Sequence, residues 1–305
     1  MTFSPAKPAL AGLAAAVAMA APAVASTVGF SLTADGQTLV RFDASSPSAA
    51  TTIAITGDAA RIDAVDFRPA TGDLIAFDAA ANQYFILDPA TGATTRIDDG
   101  AAAGVIPSGA LDIDWNPTID RMRLVTAADE NVVFNPETGG TTRVTDLFFA
   151  DGDVNANVDP SIVGNAYTNS FDGATTTIQY VLDEETESLG VLNNNAGDIS
   201  TVGRLTLDGE EIFFGDDAGF DILSNENLST NVAFALLFTS GATSLFSVDL
   251  TSGALERLGD FAASLGDLRG LAVLDVAEVP LPAALPIFLA GLAGLGVARR
   301  RKRAS

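Results

Sequence analysis

The sequence predicts an all-β fold, a five-bladed β-propeller-like ring of four-stranded blades, with an N-terminal signal peptide and a C-terminal transmembrane helix on either side. Three observations predict it: a turn motif that recurs at steps of 45 to 48 residues over most of the chain, a strand motif with a similar period, and an apolar segment near each end. Short strands at this spacing are typical of propeller blades. We therefore expect three parts, at residues 1–25, 26–275 and 276–305.

Residues 1–25 have the features of a secretory signal peptide. A single lysine precedes a stretch rich in Ala, Leu and Val, and Ala23-Val24-Ala25 supplies the small-residue pattern that signal peptidases recognise. We expect cleavage between Ala25 and Ser26, which makes the remaining chain an exported protein. An uncleaved membrane anchor is the alternative, and it is disfavoured because the apolar stretch is short and Pro22 interrupts it.

A turn motif repeats through the central part of the chain. Each copy follows a short apolar strand and opens with Asp or Asn, whose side chain accepts hydrogen bonds from its own turn; in the clearest copies Gly takes the left-handed position. The copies lie 45, 47, 48 and 66 residues apart, so the last step contains an insertion. They begin at Asp43, Asp88, Asn135, Asp183 and Asp249.

A strand motif has a similar period, and we assign it to the inner strands of the blades. Its copies are IDAVDF, LDIDW, SIVGNAY, AGFDIL and RGLAVL, beginning at Ile62, Leu111, Ser161, Ala218 and Arg269. The first repeat lacks such a strand, whereas RGLAVL stands alone near the C-terminal end. RGLAVL is therefore expected to complete the first blade and close the ring, which removes the exposed sheet edges. An open β-sandwich is the alternative, but sandwiches lack this internal repetition.

Composition excludes several classes of function. The 305 residues include 39 Asp and Glu against 16 Lys and Arg, a net charge of −23, with neither His nor Cys. Residues 26–275 carry 38 of the acids, ten arginines and no lysine, a net charge of −28. Catalysis by Ser-His or Cys-His pairs, disulfides and imidazole or thiolate metal sites are excluded. Nucleic acid is not expected as a partner, because its binding rests on basic side chains.

Three aspartates are candidate ligands in the central channel. Alignment of the inner strands places Asp66, Asp114 and Asp221 at equivalent positions, with alanines in the other two blades. Clustered carboxylates either bind a cation or share a proton, because like charges raise each other's pKa. Alternatively, each one is a local acceptor for backbone N–H groups or for nearby arginines. We assign no catalytic residue.

Asp151, Asp153 and Asp159 form a weak candidate for a calcium site. Oxygen-bearing side chains alternate along this segment, as they do at the start of a calcium-binding loop. The EF-hand pattern requires Gly and Glu where this chain has Ala156 and Ile162, so the segment is not an EF-hand. An Asx-rich connector between blades is the alternative. No other cofactor is expected.

The C-terminal segment has the length and flanking charge of a transmembrane helix. Residues 279–298 are 20 uncharged residues, enough for a helix of about 30 Å, the thickness of the hydrocarbon core. Five basic residues follow and are expected to stay in the cytoplasm, so that the preceding chain lies outside the inner membrane. This basic stop is Arg299, Arg300, Arg301, Lys302 and Arg303.

The C-terminal tail resembles a known sorting signal. A short motif, an apolar helix and an Arg-rich end follow one another as in the VPLPA-CTERM signal, a variant of the PEP-CTERM tail. The motif is Val279, Pro280, Leu281, Pro282 and Ala283. The resemblance implies an exosortase-type membrane protease as a partner, in Gram-negative bacteria that make extracellular polysaccharide. The helix is then a transient anchor, cut near the motif, and the protein ends at the cell surface or outside the cell.

The central part resembles the bacterial domain-of-unknown-function family numbered 4394. The segments that carry this resemblance are LTADGQTLVRFD (32–43), VDFRPATGDL (65–74), IDWNPTIDRMRLVT (113–126), AYTNS (166–170) and RGLAVL (269–274). The resemblance implies a propeller-like fold and no known activity. We favour a sorted cell-surface or extracellular-matrix protein with a non-catalytic binding or structural propeller. The alternatives are a carboxylate-dependent glycan-processing enzyme and a calcium-dependent adhesion module.

Overall fold

The computed structural model describes residues 26–97, 107–226 and 229–276, all within the unit Ser26–Val276. These residues form 24 β-strands and three single turns of 3-10 helix. In the part of the chain that is described, no helix is long and apolar enough to cross a membrane. The expected signal peptide, sorting motif, transmembrane segment and basic stop lie outside the described residues.

The strands follow one another with few interruptions along the chain. In order they are β1 (Ser26–Thr33), β2 (Thr38–Asp43), β3 (Thr51–Ala54), β4 (Thr56–Gly57), β5 (Ala64–Phe67), β6 (Leu74–Asp78), β7 (Gln83–Leu87), β8 (Ala93–Arg96), β9 (Leu111–Asn116), β10 (Arg121–Thr126), β11 (Asn131–Asn135), β12 (Gly140–Arg143), β13 (Phe148–Phe149), β14 (Ile162–Tyr167), β15 (Gln179–Asp183), β16 (Ser188–Leu192), β17 (Asp198–Arg204), β18 (Thr206–Leu207), β19 (Glu210–Glu211), β20 (Ala218–Asn225), β21 (Thr230–Thr239), β22 (Ala242–Val248), β23 (Ala254–Asp260) and β24 (Leu268–Val276).

Five sheets confirm the predicted five-bladed arrangement. Each blade has four antiparallel strands from the inside outwards: β24-β1-β2-β3, β5 to β8, β9 to β12, β14 to β17, and β20 to β23. Blades two, four and five contain additional short strands, so the blades have four to six strands rather than four throughout. The additional strands β4, β13 and β18 belong to the connectors between blades. Each runs parallel to the outermost of the four strands in the following blade and covers its edge.

The C-terminal end of the propeller closes the ring. Strand β24 contains RGLAVL and pairs antiparallel with β1, from Ser26 opposite Val276 to Thr33 opposite Leu268. It is thus the inner strand of the first blade, as the sequence predicts. The inner strands contact one another in the circular order β24, β5, β9, β14, β20 and back to β24.

The hydrophobic core is divided among the five interfaces between blades. Since alternate side chains of a strand point to opposite faces, each blade contributes to two interfaces. On β14, for example, Ile162 packs with Val125 of the third blade, whereas Val163 packs with Phe220 of the fifth. Burial on both faces explains why the inner strands are nearly continuous apolar runs interrupted by a few aspartates and small residues.

Candidate functional site

The inner strands bring three of the predicted site residues together on the propeller axis. Asp66 lies on β5, Asp114 on β9 and Asp221 on β20, and their exposed fractions are 4%, 1% and 5%. One carboxylate oxygen from each residue lies within 4.8 Å of the other two. Three blades therefore contribute one carboxylate each to a single buried cluster, which we call the axial triad.

Asp66 and Asp221 are each held by two main-chain amides. Asp66 accepts one hydrogen bond from the N–H of the residue that follows it, at 2.7 Å, and one from the N–H of Trp115 in the next blade, at 3.1 Å. Asp221 likewise accepts the N–H of Ile222 and the N–H of Val273 in the first blade, both at 2.6 Å. Each of these carboxylates thus joins its own inner strand to the next one.

Asp114 also accepts a main-chain N–H from the next blade, but only one of its two oxygens is hydrogen-bonded. Its Oδ2 accepts the N–H of Tyr167 in the fourth blade at 3.1 Å. The amide of the next residue, Trp115, is already bound to Asp66. Asp114 Oδ1 has no hydrogen-bond partner although the atom is buried. One amide from each of the five blades therefore binds the axial triad, and one of its six oxygens is left over.

Asp112 is a fourth channel carboxylate, and our sequence analysis missed it. It is fully buried on β9, two residues before Asp114 and hence on the same face of the strand. It accepts N–H groups from Ile113 at 3.0 Å, from Asn165 at 3.0 Å and from Phe220 at 3.3 Å, which joins three blades. The two-residue spacing within LDIDW is the signal that identifies it.

No basic side chain in the described part of the chain lies within salt-bridge distance of this cluster. Of the salt bridges among the described residues, none involves Asp66, Asp112, Asp114 or Asp221. Burial raises the pKa of Asp66, Asp112 and Asp114 well above the ordinary value, and neighbouring carboxylates raise those of Asp66 and Asp114 further. Burial raises the pKa of Asp221 to about 7. The folded state therefore favours neutralisation of the cluster, by protons or by a cation.

The arginines that we considered as partners of these aspartates bind elsewhere. Arg68 pairs with Asp120 and stacks over the ring of Trp115, at 5.1 Å from the ring centroid. Arg121 pairs with Glu137, and Arg123 donates to the side chains of the buried Asn131 and the exposed Asn195. Backbone amides, not arginines, are thus the local partners of the axial triad.

Two cavities lie at opposite ends of the inner strands. One, of about 410 Å³, lies where these strands end, and its wall includes Asp66 and Asp221 of the axial triad. The other, of about 520 Å³, lies where the strands begin and is lined by Arg61, Asp63 and Arg269 among others. The first cavity gives solvent a route to the axial triad.

The candidate calcium loop does not form a comparable cluster. Asp153 is bound to Thr201, whose N–H lies at 2.7 Å and whose hydroxyl at 2.6 Å. Asp159 lies beside Asp129, and its negative charge contributes to raising the pKa of that group to about 6, after the larger effect of burial. In the residues that the structure describes, the axial triad is the one group of three carboxylates close enough to hold a metal ion. Asp151, Asp153 and Asp159 are therefore not brought together.

These features define a class of protein, a five-bladed β-propeller with a carboxylate cluster on its axis. Residues 38–272 match the family described as Domain of unknown function (DUF4394), and the chain belongs to this family. The resemblance seen in the sequence is thereby confirmed for the central part. No curated protein matches the chain in sequence.

Several solved structures are similar to this chain at low sequence identity. A chain of the nidogen/laminin complex is 11% identical, with 83% of this chain and 100% of that chain covered and a TM-score of 0.44. An auxiliary nutrient binding protein from Bacteroides thetaiotaomicron VPI-5482 is 14% identical, with 68% and 55% covered and a TM-score of 0.37. A structural genomics protein of unknown function from the same organism is 11% identical, with 76% and 50% covered and a TM-score of 0.39. The chain spans about half the length of the two Bacteroides chains, and no property of these proteins is transferred to it.

Proposed function

We propose that this chain is an exported, exosortase-sorted cell-surface or extracellular-matrix protein whose propeller is a non-catalytic binding or structural module. One observation carries the non-catalytic part. Both oxygens of Asp66 and both oxygens of Asp221, the triad members that face the cavity, accept main-chain N–H groups. These hydrogen bonds hold neighbouring blades together.

The same observation disfavours a glycan-processing enzyme. A glycoside hydrolase needs one carboxyl that protonates the leaving group and a second that attacks the sugar or activates water. The amide donors lower the pKa of Asp66 and Asp221 less than burial raises it, so the pKa does not oppose these roles. Access does: the two residues are 4% and 5% exposed and their oxygens face main-chain amides, which keeps a sugar ring from reaching them. Asp66 and Asp221 are thus better suited to joining strands than to proton transfer.

The sorting part of the proposal rests on the tail. Residues 279–283 carry the motif, and the apolar stretch and the basic stop follow in the order that the sorting signal requires. In this proposal the inner membrane holds the chain briefly, with its C-terminus in the cytoplasm, until an exosortase-type protease cuts near the motif. Extracellular polysaccharide is the proposed partner after release, because bacteria with such tails make it.

Deletion of Arg299 to Arg303 tests this proposal in a host that contains an exosortase. Without the basic stop, the helix loses the charges that fix its orientation, so membrane retention and processing should both be impaired. The measurements are the distribution of the protein between membrane and extracellular fractions and the size shift that accompanies processing.

A charge-preserving variant is the matched control, with lysine in place of each of the four arginines. It should be sorted like the wild type if charge is what matters. Unchanged fractionation and processing of the deletion variant would refute the sorting proposal.

A further inference from the structure

One oxygen of the axial triad has no hydrogen-bond partner, which indicates that a ligand binds to this atom. Asp114 is 1% exposed, and its Oδ1 has no partner. A buried acceptor without a partner costs about 1–3 kcal/mol, and more when it carries charge. The other five oxygens of the triad each accept an amide N–H, whereas no group among the described residues donates to this atom.

The distances fit a cation at the centre of the axial triad. Three oxygens within 4.8 Å of one another surround a point that is at most about 2.8 Å from each. Calcium binds oxygen ligands at about 2.3–2.6 Å in flexible geometry, whereas magnesium demands about 2.0–2.1 Å and near-ideal octahedral geometry. A small contraction suffices for calcium. Inner strands that are cross-linked by hydrogen bonds resist the larger contraction that magnesium requires.

We propose that Asp66, Asp114 and Asp221 bind one calcium ion on the propeller axis. Each carboxylate oxygen has two lone pairs, so an oxygen that accepts one amide N–H still offers one to the ion. Asp114 contributes the oxygen that has no other partner. The ion offsets two of the three negative charges and links the second, third and fifth blades.

The cavity where the inner strands end supplies the route and the remaining ligands. Its wall includes Asp66 and Asp221, and its volume of about 410 Å³ holds several water molecules. Calcium takes six to eight oxygen ligands, so water on the cavity side completes the coordination of an ion held by three carboxylates. Asp275 and Glu226 also line this cavity, and their negative charge favours entry of a cation.

The experiment compares the full-length wild type with Asp114→Asn after removal of metal by a chelator. Calorimetric titration with calcium chloride at constant ionic strength and mildly alkaline pH should show one site per wild-type chain. Magnesium chloride should bind more weakly. Asp114→Asn should reduce calcium affinity at least about 10–100-fold, the loss that even changes outside the ligand set cause in metal sites.

We expect Asp114→Asn to fold like the wild type. Its side-chain oxygen keeps the hydrogen bond from Tyr167, and the NH₂ group takes the place of the oxygen that has no partner. Because one buried negative charge is removed, the metal-free variant should melt at or above the temperature of the metal-free wild type. Calcium should raise the melting temperature of the wild type clearly more than that of the variant.

Asp151→Asn is the matched control, since Asp151 is an exposed acid in the loop between the third and fourth blades. This variant should bind calcium like the wild type. The proposal is overturned if the wild type binds no calcium, or if Asp114→Asn binds it equally well. A wild type that responds to pH but not to calcium would show that protons, rather than a metal ion, neutralise the triad.

Discussion

At the scale of single residues, the channel aspartates accept hydrogen bonds from main-chain N–H groups that face the propeller axis. An inner strand pairs with a neighbour on one side only, so the N–H groups of its other edge point into the channel without strand partners. The inner strands that precede the second and fifth blades carry Ala272 and Ala166 at the equivalent position and supply no carboxylate there. In these two blades the channel-facing amide therefore binds the aspartate of its own strand. Elsewhere, as at Tyr167, the preceding blade supplies the carboxylate.

These buried carboxyls predict that the metal-free protein loses stability as pH rises. Burial raises the pKa of Asp221 from 3.8 to about 7, and those of Asp66 and Asp114 rise as well. The folded state then binds more protons than the unfolded state between these values, so the free energy of unfolding decreases as pH increases through that window.

Melting curves of wild type and Asp114→Asn, recorded without metal over this pH range, measure the contribution of the axial triad to the pH dependence of stability. Glu184 and Glu187 also have pKa values raised to about 7, but they are present in both proteins and cancel in the difference. The wild type should show the steeper loss of stability. Parallel pH profiles would contradict an origin in the triad.

Part of this site was accessible from the sequence. The repeat alignment predicts the equivalence of Asp66, Asp114 and Asp221, and alternation along β9 identifies Asp112 as their neighbour. Which amide each carboxylate accepts was not accessible, because that depends on how adjacent blades are staggered. The leftover oxygen of Asp114 is therefore a property of the assembled ring rather than of any repeat.

At the scale of the elements, the interface between the third and fourth blades combines apolar and polar packing. Its apolar cluster is accompanied by a buried polar network that begins at Arg123 of β10. Arg123 donates to Asn131 and Asn195, each at 2.7 Å, and the hydroxyl of Tyr167 donates to Gln179 at 2.9 Å. The network links β10, β11, β14 and β15 across the interface.

Arg123→Met should destabilise the propeller strongly. The substitution keeps an unbranched side chain but removes the donor of the buried Asn131 side chain and that of the exposed Asn195 side chain. An unsatisfied buried group costs about 1–3 kcal/mol. We expect a loss of about 1–3 kcal/mol, measured by urea unfolding.

Arg121→Met on the same strand is the control. Arg121 is partly exposed and pairs with the exposed Glu137, so its replacement should change stability by less than about 1 kcal/mol. Equal losses for the two variants would show that the network contributes nothing beyond a surface ion pair.

Strand prediction succeeded for the repeated elements and failed for the connectors. Strands such as β7 and β22 carry the apolar pattern and are followed by turn residues, which a single sequence reveals. Strands β4, β13 and β18 have two residues each and no periodic pattern. They form because the edge of the following blade lies beside them, which only the closed ring determines.

At the scale of the whole molecule, stability depends on a closed cycle of five interfaces. A net charge of −28 over residues 26–275 opposes compaction, since like charges repel and only salt or bound cations screen them. The ring offsets this repulsion by burying both faces of every blade. Because β24 pairs with β1 and contacts β5 and β20, this strand of the first blade also packs against the second and fifth blades.

Truncation after Gly266 should therefore abolish cooperative folding. It removes β24, leaves β1 as an exposed edge, and takes away the Val273 amide that binds Asp221. Exposed edges pair with other chains, so aggregation should accompany the loss of a sharp thermal transition. Truncation after Glu278 keeps all of β24 and should melt like the full-length chain. Light scattering and calorimetry distinguish the two outcomes. Equal melting and equal solubility of both truncated proteins would mean that closure by β24 does not stabilise the propeller.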